Sequence, residues 1–145
     1  MKWLALILLG TLSAATNATD FSSGAIRIVA PWSRATPPGV SAAAVYLELV
    51  STRNDTLVHL ATPIAAAAEV HEVSHRNGVM SMRPVEQLKL VAGTPLRFAP
   101  QQLHIMLTGL HKPLQTGDHF PVTLEFAASG AVTIDVIVRP ADYQP

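Results

Sequence analysis

The chain has no cysteine. It can form no disulfide, so its stability must come from packing alone. No thiolate can act as nucleophile or metal ligand, so any bound metal must be held by His, Met or carboxylate. Excess charge is also missing: ten Lys and Arg balance ten Asp and Glu, and no basic patch recruits nucleic acid. No nucleophile is set beside a base, and no carboxylates are paired at an acid-base spacing, so catalysis is not indicated and a non-enzyme is expected. A long apolar run is lacking too. The only candidate, residues 3–9, is interrupted by Gly10, Thr11 and Ser13, well short of the ~20 residues a membrane span needs.

That short run has a different reading. Met1 and Lys2 give a positive start, Trp3 to Leu9 an apolar stretch, and small residues follow, which is the pattern of a secretory signal. Cleavage after Ala15 or Ala18 is expected, so residues 1–18 form the signal peptide and residues 19–145 one mature domain. Loss of Lys2 leaves nine basic against ten acidic side chains. An exported, periplasmic protein without stable membrane insertion is expected. A retained anchor is the alternative, and a monomer is the expected state.

Beyond the signal, short runs of alternating apolar residues are separated by turn residues, the pattern of an all-β sandwich or barrel. Strands are expected at 25–29, 42–50, 57–61, 69–73, 79–83, 95–98, 103–107, 122–126 and 131–138, eight or nine in all. Asn77-Gly78 marks a tight hairpin between the strands at 69–73 and 79–83, and Ser129-Gly130 another near the C-terminus. Four consecutive alanines, 65–68, favour helix by propensity, so that stretch is either a short helix or a buried strand.

Six histidines and three methionines beyond the initiator make metal binding worth testing. In the strand at 103–107, Leu103, Ile105 and Leu107 share one face, which leaves His104 and Met106 side by side on the other. Upstream, His71 lies in one arm of the Asn77-Gly78 hairpin and Met80 and Met82 in the other, so His71 and one of these methionines can be neighbours. Thioether sulfur is a soft, uncharged donor that suits Cu(I) and poorly suits zinc, calcium or magnesium. Two imidazoles and two thioethers would leave the ion its single positive charge and favour a shallow, partly solvated position.

The order His71, ten residues, Met82, twenty-one residues, His104, one residue, Met106 resembles the spacing of the periplasmic copper chaperone family PCuAC. The segments 30–39 (APWSRATPPG), 43–47 (AAVYL), 78–85 (GVMSMRPV) and 104–110 (HIMLTGL) are similar to that family's stretches. The resemblance implies a cupredoxin-like Greek-key β-sandwich and one Cu(I) held by His71, Met82, His104 and Met106. It further implies delivery to the copper A subunit of cytochrome c oxidase or its thiol-containing assembly factors. The chain departs from many relatives at Val73, where they carry a second methionine, and in having no His- and Met-rich tail before Pro145. A copper buffer or tolerance protein is the alternative function. A blue-copper electron carrier is excluded because its site needs a cysteine.

The remote alternative is a zinc metalloprotease, since His71-Glu72-Val73-Ser74-His75 fits the His-Glu-x-x-His pattern. The position of a third metzincin histidine is Ser81, and the motif needs a helix where period two predicts a strand. His75 is read as a turn histidine, with an occasional role near the metal. Met80 could shield or replace Met82, since both share a strand face. His59, His111 and His119 are assigned surface or structural roles, and Trp32 and Tyr46 packing roles.

Overall fold

The computed structural model describes residues 19–145, so the expected signal peptide lies outside the described residues. The described chain is all β. In order, the strands are β1 (Phe21–Ser23), β2 (Ile26–Arg34), β3 (Ala42–Ser51), β4 (Asp55–Ala61), β5 (Ala65–Arg76), β6 (Val79–Val85), β7 (Leu88–Leu90), β8 (Leu96–Phe98), β9 (His104–Leu110), β10 (His119–Phe126) and β11 (Gly130–Arg139). The expected class is correct and the number is higher. The two additions to the expected set, β1 and β7, are three residues each, too short to show a period.

Hydrogen bonding runs through the order β6-β5-β9-β3-β2-β11-β10-β4-β7, with β1 on β2 and β8 on β3. Among the described residues only β11 and β2 pair in parallel; the other strand pairs there are antiparallel. The sheet folds over so that β4 meets β5. The enclosed face is lined by alternate residues, as on β3 (Val45, Leu47, Leu49), β9 (Ile105, Leu107), β10 (Val122, Leu124) and β11 (Ile134, Val136). These nine side chains are at most 4% exposed, and each contributes roughly 1.5–3 kcal/mol by leaving water.

The alanine run is strand, the first part of β5. Intrinsic preference for helix amounts to tenths of a kcal/mol per residue, and pairing of Ala67 with Thr108 and Ala68 with Leu107 overrides it. Small side chains are required here, because Gly109 on β9 approaches so closely that a Cβ on it would lie 2.7 Å from that of Ala66.

A bulge in β2 decides the outer face of the sheet. The β2–β3 register slips by one residue between Val29 and Trp32, where Ala30 adopts a positive φ of 49°. A one-residue slip reverses the facing of every later side chain. Ile26 and Ile28 therefore point into the core, whereas Trp32 turns outward onto Tyr46, ring centroids 4.7 Å apart. Tyr143 covers Trp32 edge-on at 4.9 Å, and the Arg34 guanidinium lies 5.6 Å from the indole centre. Both aromatics have the expected packing role, outside the main core. Burial pushes the Tyr46 phenol up, and the nearby Arg34 charge offsets this in part.

Candidate metal site

The hairpin of β5 and β6 closes on Asn77 and Gly78, with φ of 51° and 75°, as a two-residue turn of this type demands. It pairs Arg76 with Val79, His75 with Met80, Val73 with Met82 and His71 with Pro84. Counting from the turn, the pairs alternate between hydrogen-bonded and not. His75–Met80, Val73–Met82 and His71–Pro84 are the non-bonded kind, so Pro84 costs the ladder no donor.

Residues paired across strands share a face, and so do alternate residues along a strand. One face of the hairpin therefore carries His71, Val73, His75, Met80, Met82 and Pro84. The other carries Glu72, Ser74, Ser81 and Arg83, joined by an Arg83–Glu72 ion pair at 2.7 Å and a Ser74–Ser81 hydroxyl bond at 2.8 Å.

On the opposite side of β5, β9 pairs His71 with His104 and Glu69 with Met106. His71 is thus the centre of the set. His104 lies directly across, ring centroids 5.8 Å apart. Met106 on β9 and Met82 on β6 occupy opposite diagonals, positions that long side chains can bridge.

The hydrogen bonds assign the imidazole tautomers. His104 Nδ1 donates to the Gln102 carbonyl at 2.9 Å, placed by the turn in which Gln101 takes a φ of 64°; Nε2 keeps its lone pair. His71 Nε2 donates to the Glu69 carboxylate at 3.1 Å, which leaves the lone pair on Nδ1. That Nδ1 is buried and has no partner, an arrangement that a metal would satisfy. Metal-bound histidines characteristically donate their second N–H to a carbonyl or carboxylate, and here both do so before any ion is bound.

His104 is only 5% exposed, with the Gln102 carbonyl and the His71 ring against it. Met106 is partly buried. Met82 and Met80 are open, at 51% and 53%. Glu69 escaped notice in the sequence, although its spacing of two from His71 in a strand was the available signal.

No group of three or more His, Cys, Asp or Glu able to hold a metal forms among the described residues. Met82 and Met106, on the two diagonals from His71, offer thioether sulfur beside the two imidazoles, a donor chemistry that suits a soft monovalent ion. The metalloprotease alternative fails on geometry. In a strand His71 and His75 lie ~13 Å apart instead of one helical turn, and Glu72 points to the opposite face, held by Arg83.

The model of the LpqE-like lipoprotein family matches residues 26–138. The chain belongs to that family. This LpqE-like protein is 32% identical over 124 residues to protein RP573 of Rickettsia prowazekii, covering 79% of this chain and 68% of that one. It is 27% identical over 129 residues to a Leifsonia xyli subsp. xyli protein named as a lipoprotein, covering 88% and 78%.

Among solved structures it resembles the copper-bound PCuAC domain from PmoF2, at 25% identity and TM-score 0.71, covering 84% of this chain and 98% of that one. It also resembles Cu(I)-bound DR1885 from Deinococcus radiodurans, at 28% identity and TM-score 0.62, covering 75% and 74%. The PCuAC kinship read from the motifs is thereby borne out, together with the cupredoxin-like Greek-key sandwich.

Proposed function

We propose that this LpqE-like protein carries one Cu(I) on His71, Met82, His104 and Met106 and passes it on outside the cytoplasm. The observation that carries the reading is the facing pair of imidazoles, His71 and His104, whose outer nitrogens are already engaged by Glu69 and Gln102. The lone pairs that remain, with two thioethers flanking them, form a neutral soft donor set. Copper in the relatives PmoF2 and DR1885 supports the same ion here.

The chain's own groups explain both holding and release. Glu69 and Gln102 fix the ring orientations, so little rotational freedom is lost on binding. Exposed Met82 is the donor an acceptor can displace first. Thiolates bind Cu(I) more tightly than thioethers, so transfer to a cysteine-containing acceptor runs downhill. The copper A centre of cytochrome c oxidase, or a thiol-containing factor that assembles it, is an acceptor of this chemistry.

The test is competition for Cu(I) against a chromogenic chelator under anaerobic conditions. His104→Ala and Met106→Ala should each lose affinity, and unchanged affinity in both would remove the site. Oxidase activity of a deletion strain at low copper separates delivery from storage: storage leaves it intact.

A further inference from the structure

The hairpin face that bears Met82 carries a second soft pair that the four-residue site does not use. His75 and Met80 are register partners, and their pair is of the non-bonded kind, in which side chains approach most closely. Both are exposed, and Met80, at 53%, lies outside the packed core. Every hard polar side chain of the hairpin's middle lies on the other face, engaged with its neighbours, whereas His71, His75, Met80 and Met82 all share this one.

We propose that His75 and Met80 form a second, transient Cu(I) site, the point at which the ion enters and leaves. The proposal rests on the four-residue reading and adds a route to it. An imidazole and a thioether are enough for Cu(I), which accepts few ligands of this softness. Met80 and Met82 are two residues apart on one face, a step of ~7 Å along the strand. An ion held by His75 and Met80 therefore lies within reach of the Met82 sulfur before its first bonds are broken.

Passage is ligand exchange. A copper–sulfur bond to Met82 forms as the bond to Met80 breaks, and His71 then replaces His75. All donors are neutral, copper stays monovalent and no electron moves. The turn places His75 and Met80 at the far end of the hairpin, where an incoming donor meets them ahead of buried His104.

The experiment uses the full mature chain, Cu(I) supplied by a chromogenic chelator, and labelled methionine methyls followed by NMR. In the wild type, the first equivalent should shift the Met82 and Met106 methyls, and a second equivalent the Met80 methyl. Met80→Leu and His75→Gln, both at exposed positions, should leave equilibrium affinity for the first ion unchanged while slowing stopped-flow transfer about tenfold, equivalent to about 1.4 kcal/mol in the barrier.

Wild-type transfer rates in both variants, with a Met80 methyl that never moves, would overturn the proposal. So would a loss of affinity in Met80→Leu equal to that in Met82→Leu, which would make Met80 a ligand of the main site. His104→Ala, measured alongside, separates the two readings. If it binds Cu(I) as the wild type does, the main site itself is wrong. If it loses affinity while transfer in the hairpin variants is unaltered, only the entry site is.

Discussion

Replacing Glu69 tests whether the site is preset by the protein, and two variants divide the effect. The carboxylate oxygen lies 3.1 Å from His71 Nε2, and an ion on Nδ1 of the same ring would sit about 7 Å from it. At that separation opposite unit charges attract by about 0.6 kcal/mol in water. The water value applies because the Glu69 side chain is 59% exposed.

Glu69→Gln keeps an acceptor for the N–H and removes only the charge, so affinity for Cu(I) should fall about threefold. Glu69→Ala also frees the ring and the tautomer. Loss of such a partner weakens metal binding about 10- to 100-fold, and the exposure of Glu69 puts this case near tenfold. Chelator competition at low and at ~1 M salt distinguishes the terms, because screening removes the Gln deficit and spares most of the Ala deficit. Wild-type affinity in Glu69→Ala would refute the reasoning, as would a Gln variant as weak as the Ala variant.

Three further outcomes follow from particular contacts. Buried Asp55 accepts bonds from the Ser129 hydroxyl and the backbone N–H groups of Thr56, Ala128 and Ser129. Burial pushes its carboxyl up, but these bonds outweigh burial and hold it below the usual range. Its stabilisation is thus full above an ordinary carboxylate pKa of ~3.9 and is lost as pH falls through the lowered folded value. Asp55→Asn should cost about 2 kcal/mol at neutral pH and flatten the acid limb of urea unfolding curves. Gly109→Ala, which forces a φ of 67° on a residue with a Cβ and drives it into Ala66, should cost roughly 2 kcal/mol by the same measurement. Glu72→Ala should leave Cu(I) affinity unchanged and neither create nor remove proteolysis of casein, because Glu72 faces away from both histidines.

Much of the site could be read locally. His104 and Met106 follow from alternation in one strand, since period two fixes facing without reference to any partner. The Asn77-Gly78 hairpin likewise needs only its own turn geometry. Glu69 stayed hidden because its role depends on a ring orientation, and the burial of His104 against Gln102 and His71 is a matter of packing that alternation does not reveal.

The sequence by itself determined the β class, the soft donors and, through the lack of cysteine, the neutral charge of any metal site they build. Those properties are set by residue type and by spacing within single strands. Tertiary structure alone decided that β5 pairs with β9 in the register that sets His71 against His104, since strands 33 residues apart are aligned by the whole core and not by any local rule. It also decided that the alanine run is strand, that Trp32 turns outward at a bulge, and that Glu72 is on the wrong face for hydrolysis. In each case the energy of burying and pairing a complete strand exceeds the local preferences of its residues.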